Sequence, residues 1–408
     1  MKPRFLASLG ICTIVICAAV APRASAIDLF WDADGNVSAA TGGTGNWDIG
    51  AGGAWRSGSS TGSIVPYDNT APSGVIAQFG GTAGTVTLAG TITTGGMNFT
   101  TGGYTITGGT SLSINPVGGT FTCTTNGGTT NLNSALQYPT ANTQIIKTGP
   151  GTLFLGNGGA GTTNQGFYTV TGGTFNSGTL TFDSILAMVA GNRLGTGGPA
   201  NSANPQVVLD AGTLVLTQTG ANNNLANTRG VRVNAAGGAI SDGGSNSQIP
   251  SQIANNAGGT TALYLSNVSG VTNFQGIISG PGKLVWTGAS SGNTATFQAA
   301  NTYTGATVVN VGTLLLDFTG TNTGVSRLSS STAVTLNGGT LSQLGTALGG
   351  QSTSQAINGL TISGNASVVN TSAGTNSSTL ALGGVTRSGL GTLGITLPAN
   401  GNITSTTA

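Results

Sequence analysis

The chain has 408 residues, 72 of them Gly, and only 5% are charged: 11 Lys or Arg and 9 acidic residues, all Asp, with no Glu and no His. Ordinary soluble domains carry roughly 25% charged residues, so this surface has to be built from neutral Thr, Ser and Asn. The missing types exclude His-paired nucleophiles and zinc sites made from His or clustered Cys. The 37% hydrophobic content excludes a disordered chain, and the Gly-, Thr- and Asn-rich remainder favours strands and turns over helices.

Residues 1–26 have the form of a secretory signal: Lys2 and Arg4 at the start, an apolar stretch from Phe5 to Val20, and Ala24-Ser25-Ala26 as a small-residue cleavage site. The apolar stretch falls short of the roughly 20 residues a spanning helix needs, and Pro22 and Arg23 close it. Ile precedes both Cys12 and Cys17, which argues against lipid attachment there. Cleavage starts the mature chain at Ile27 and leaves eight basic residues against nine Asp, a formal charge of −1. Nothing basic remains to attract nucleic acid, and no transmembrane span is expected in the mature chain. Cys123 is then the only thiol; it cannot form an internal disulfide and is read as buried core sulfur.

Residues 27–80 read as an N-terminal capping region. Trp31, Trp47 and Trp55 supply bulk to cover an open end, and Asp28, Asp32, Asp34 and Asp48 form the densest group of carboxylates. Asp32-Ala33-Asp34-Gly35-Asn36 places side-chain oxygens at alternate positions, as a calcium loop does, which makes Asp32, Asp34 and Asn36 a weak calcium candidate. The downstream bidentate Glu is missing, so the preferred reading is a turn whose Asp and Asn accept backbone hydrogen bonds.

Residues 81–386 read as a repeat region. Gly-Thr followed by an apolar residue recurs at Gly119, Gly151, Gly173, Gly178, Gly212, Gly312, Gly339 and Gly391. Each marks a turn entering a strand, and alternation such as Leu153, Leu155 or Leu214, Leu216 follows. The best helical candidate is Ser184 to Leu194; one such segment excludes a βαβ sheet, which needs a helix at each crossover. A longer order recurs as well. Lys147 to Leu153, Phe167 to Val170, Asn192 to Gly195 and Val207 to Leu214 are followed by Ser279 to Leu284, Asn301 to Val308, Ser326 to Leu328 and Val334 to Leu341. A third copy opens at Arg387, and residues 387–408 read as an incomplete terminal repeat. Ordered repetition at variable spacing predicts stacked coils, with inward rows of Leu, Val and Ile as the core. On order alone, tandem sandwiches remain the alternative.

The pattern Lys-x-Gly-x-Gly-x-Leu, then Asn301-Thr302-Tyr303-Thr304-Gly305-Ala306-Thr307-Val308, then Gly312-Thr313-Leu314 resembles the autotransporter-associated β-strand repeat of bacterial exported proteins. Gly280 to Leu316 carries the resemblance most completely; at Lys147 the Tyr-Thr-Gly element is replaced by Gly166-Phe167-Tyr168-Thr169-Val170-Thr171. The Trp31 to Asn36 and Gly45 to Asp48 segments also look like the opening of such proteins. The resemblance implies a right-handed parallel β-helix, secreted or at the cell surface, sometimes beside an outer-membrane barrel. No series of alternating ten-residue strands ends this chain, so insertion as a barrel is not expected.

Little chemistry is legible. Asp183, Asp210, Asp242 and Asp317 are isolated in sequence, though a β-helix can gather residues on one face, and glycosidic hydrolysis generally needs two carboxyls at a fixed distance. The Gly149-Pro150-Gly151 and Gly237-Gly238 runs lack the Lys and helix of a phosphate cradle. Tyr104, Tyr168, Tyr264 and Tyr303 present a sugar-binding ladder if they face outward and are packing residues otherwise. No catalytic or cofactor-binding residue is nominated and no cofactor is expected. The expectation is a structural or adhesive surface protein without a reaction of its own, its partners surface glycans or other envelope proteins. A polysaccharide-binding or polysaccharide-degrading β-helix and an autotransporter passenger lacking its barrel are the alternatives.

Overall fold

The computed structural model of the protein describes residues 27–35, 38–50, 54–69, 74–116, 120–134, 136–137, 143–155, 166–171, 174–177, 207–216, 230–243, 247–320 and 325–406. The signal segment, Asn36, Asp183 and the helical candidate Ser184 to Leu194 lie outside these residues. Among the described residues the protein is all-β, without an α-helix, and its strands stack into a parallel β-helix.

One coil shows the plan. Val75–Phe79 lies on one wall, Thr85–Leu88 on a second and Thr91–Thr94 on a third; the chain then returns in Gly96–Phe99, paired in parallel with Val75–Phe79. Repetition produces a 12-stranded sheet on the first wall and a 16-stranded sheet, called here the long sheet, along the second; at its far end the long sheet also reaches the first wall, where Ser378–Arg387 pairs with both Leu360–Ile362 and Thr353–Ala356. The third wall holds a 3-stranded sheet and, further along the chain, a 7-stranded one. Because side chains alternate across a strand, every second residue of each strand faces the lumen. In-register stacking turns those residues into rows. On the long sheet one row runs Leu214, Ile240, Leu265, Trp286, Val309, Leu336, Ile362. Each fully buried member contributes about 1.5–3 kcal/mol of transfer free energy, so the core grows with every coil.

The corners explain the glycines. Gly149 and Gly280 open the two Gly-Pro-Gly turns with φ of 80° and 100°. At both, a side chain would collide with the backbone carbonyl of the coil below, that of Thr125 or Asn255. Gly151 N and Gly282 N then donate to those same carbonyls at 2.8 and 2.9 Å.

The sequence copies are not in phase with the walls. Gly151-Thr152-Leu153 and Gly212-Thr213-Leu214 enter strands of the long sheet, whereas Gly312-Thr313-Leu314 and Gly339-Thr340-Leu341 enter the 7-stranded sheet. The Gly-Thr-apolar signature therefore marks any corner that leads into a strand, not one fixed position in a coil. A coil is also much shorter than the sequence copy: Val334 pairs with Leu360 and Leu360 with Val385.

The first wall changes character along the axis. Its 12-stranded ladder ends at Ile278–Ser279, and strands resume there only at Thr353–Ala356. Between them isolated backbone bonds, from Thr302 N and Tyr303 N to the Ile278 carbonyl and from Thr304 N to the Gly280 carbonyl, are joined by side chains. Ile278 N donates to Asn301 Oδ1 at 2.7 Å, and Asn301 Nδ2 donates to the Arg327 carbonyl at 2.9 Å. Arg327 N donates to Gln355 Oε1 at 2.7 Å, and Gln355 Nε2 donates to the Leu328 carbonyl at 2.9 Å. These buried amides satisfy backbone groups that would otherwise cost about 1–3 kcal/mol each.

The N-terminal end is closed. Ile27–Trp31 pairs in parallel with Val75–Phe79 on its inner side, and Trp55–Ser57 lies antiparallel on its outer side, followed by Ile64–Val65. Trp31, Trp47, Trp55, Tyr67 and Phe79 are buried beneath, with ring centroids 4.9 Å apart for Trp47 and Trp55 and 5.0 Å for Trp47 and Tyr67. The strand Val75–Phe79, inside the expected capping region, already belongs to the regular ladder.

Candidate functional site

Three of the described carboxylates, those of Asp32, Asp242 and Asp317, are tied into the fold. Asp32 is buried; its Oδ2 accepts from Arg56 Nε at 2.7 Å and its Oδ1 from Thr41 N at 3.3 Å. Within the calcium candidate, the Asp32 carboxylate is thus already held by a guanidinium that fixes the cap, while Asp34 is exposed and Asn36 lies outside the described residues. Asp28 accepts from Gln78 Nε2 at 2.9 Å. No three Asp or Cys side chains gather into a metal-sized group among the described residues.

Asp210, Asp242 and Asp317 end strands of three different sheets, so this β-helix does not collect them on one face. Asp242 is buried and accepts from Ser247 Oγ and Thr272 Oγ1, both at 2.7 Å. Asp317 accepts from Thr319 N at 2.9 Å, Thr319 Oγ1 at 2.6 Å and Gln298 Nε2 at 2.9 Å. Burial opposes its charge, but those hydrogen bonds and the nearby Arg327 outweigh burial and hold its carboxyl below the ordinary value. Arg327 donates from Nε to the Asp317 carbonyl at 2.7 Å and lies 4.5 Å from the centre of the Phe318 ring. Sequence reading passed over this knot because Gln298 and Arg327 stand 19 and 10 residues from Asp317 with corners between them, and only the fold brings them together.

Cys123 and Lys147 are inward register partners on adjacent strands. Burial pushes the Cys123 thiol up to about 12, which keeps it protonated and unreactive. Burial also lowers the Lys147 ammonium, whose Nζ donates to the Gly149 and Gly151 carbonyls and so ties down a Gly-Pro-Gly corner.

The tyrosines divide. Tyr104 is buried, with its hydroxyl donating to the Thr82 carbonyl at 2.9 Å, and Tyr303 is buried 2.6 Å from Thr307 Oγ1. Burial raises both hydroxyls above their ordinary value. Of Tyr168 only the backbone is described. Tyr264 is different: it stands on the outer face of the long sheet, 48% exposed. The signal was present in the sequence, since Leu263 and Leu265 flank it and alternation sends Tyr264 outward.

The outer face of the long sheet carries files of stacked side chains. One runs Thr213, Ala239, Tyr264, Val285, Val308, Thr335, Thr361, Thr386. Beside it stand Ser241, Ser266 and Thr287 in register, continued by Asn310, whose Nδ2 donates to Thr287 Oγ1 at 3.0 Å, and by Asn337. No member of either file is charged. Two clefts of about 390 and 340 Å³ lie at the cap, one lined by Asp34, Thr41 and Thr82, the other by Phe30, Ser60, Gln78 and Thr100. Comparison with protein-family models, with curated proteins and with solved structures finds no match.

Proposed function

We propose that this chain is an exported, non-catalytic β-helical scaffold that presents its long sheet as an interaction surface at or beyond the cell surface. The observation that carries the reading is the division of labour among polar residues. Asp32, Asp242 and Asp317 are turned into the fold and hydrogen-bonded there, while the outer files offer neutral hydroxyls and amides along the axis. The signal-like segment and the resemblance to the autotransporter-associated repeat support export.

The test has two parts. N-terminal sequencing of protein recovered outside the expressing cell is expected to begin at Ile27. Purified protein incubated with a panel of neutral and acidic polysaccharides is expected to release no reducing ends and no unsaturated products. Turnover that Asp210→Asn or Asp317→Asn abolishes overturns the non-catalytic reading.

A further inference from the structure

The geometry points to a binding site for an uncharged polysaccharide chain on the long sheet, centred on Tyr264. This deepens the scaffold reading by naming what the surface holds. Ala239, Tyr264, Val285 and Val308 follow one another in register, so the strip is apolar over consecutive coils. Val285 points outward yet is only 6% exposed, so the half-exposed Tyr264 ring is the main apolar surface the strip offers. The result is a smooth ridge with one half-exposed aromatic ring upon it. Ser241, Ser266, Thr287 and Asn310 border the ridge with hydroxyl and amide groups.

Three steps of about 4.8 Å separate the four coils, and the polar file stands about 7 Å away, two residues along each strand. The apolar strip is therefore about 14 Å long and one side chain wide. A stable protein interface buries about 800 Å² per partner, far more than this strip offers. A pyranose chain fits the chemistry: one C–H face stacks on the Tyr264 ring, and its rim hydroxyls reach the Ser, Thr and Asn file. An acidic polymer finds one cation on the strand, Lys283, at the edge of the same strand on the side away from the polar file.

Retention of the purified protein on insoluble cellulose, chitin and neutral xylan, with soluble polygalacturonate as the acidic arm, tests the assignment. At least one neutral polymer is expected to retain the protein. Tyr264→Ala is expected to weaken retention about tenfold, the size of one lost stacking contact, while Tyr264→Phe keeps it. Ser266→Arg, which places a charged side chain in the bordering file, is expected to weaken it as well; Lys283→Gln and the distant Thr386→Ala are expected to leave it unchanged. Circular dichroism checks that each variant keeps its β structure. No retention by any neutral polymer, equal retention of Tyr264→Ala, or tighter binding of polygalacturonate overturns the site and leaves the scaffold reading standing. Self-association that Tyr264→Ala abolishes, without sugar binding, overturns it in favour of a second copy. Cleavage of the retained polymer overturns the scaffold reading instead.

Discussion

The first coils and the last described coils are built differently. At the N-terminal end, Trp31, Trp47, Trp55 and Tyr67 fill the lumen, the Asp32–Arg56 ion pair locks the strands above them, and antiparallel pairing covers the edge of Ile27–Trp31. Among the last described coils, Leu393–Thr396 and Gly401–Thr406 extend the parallel ladders and hold no aromatic residue. Ile395 continues the row of Val368 yet is 54% exposed, and Leu390 and Leu397 are 91% and 65% exposed. Closure comes from residues that break the repeat, and the irregular N-terminal segment is where the aromatic residues and the buried ion pair are concentrated.

That contrast can be broken deliberately. Trp55→Ala is expected to cost about 3–5 kcal/mol through the cavity left among four rings. Urea unfolding followed by far-ultraviolet circular dichroism measures this, and a loss below about 1 kcal/mol means that the cap is not what holds the end. Arg56→Leu strands the buried Asp32 carboxylate and is expected to cost about 3 kcal/mol, read in the same titration. Midway along the axis, Asn301→Ala leaves Ile278 N and the Arg327 carbonyl unsatisfied. About 2 kcal/mol is expected there, with faster amide exchange at residues 278–280 as its local signature.

A pH titration comes next. The folded carboxyl of Asp317 titrates below its unfolded value, so its contribution is complete above that unfolded value of about 4. The contribution fades as pH falls through the folded value. Melting temperature is therefore expected to drop below about pH 4, and Asp317→Asn is expected to flatten part of that drop. Leu390→Ser, at a side chain 91% exposed, is expected to change stability by less than about 0.5 kcal/mol; a larger loss shows that something covers that side chain in solution.

Much of this architecture was legible beforehand. Short strands, Gly corners, inward Leu and Val rows and a Trp-rich cap all follow from local rules about alternation and turn geometry. What escaped was everything that depends on which residue lies one coil away. Asp32 meets Arg56, Asn301 meets Arg327 and Arg327 meets Gln355 because corner lengths set those separations, and corner lengths vary freely. The same freedom moved Gly-Thr-Leu from the long sheet to the 7-stranded one without altering the signature. Tyr264 was readable as outward-facing from its own strand, but its meaning lies in Ala239, Val285 and Val308, which only the register brings beside it.

The relay of Asn301, Arg327 and Gln355 has a mechanical corollary. Ladder hydrogen bonds of a β-helix run along its axis, so a pull on the two ends loads successive coils in series, and the rod yields at its softest link. Around residues 301–328 the first wall is joined by a few amide side chains and isolated backbone bonds instead of a continuous ladder. Stretching in an optical trap is expected to open the molecule there first, leaving the laddered coils on either side wound.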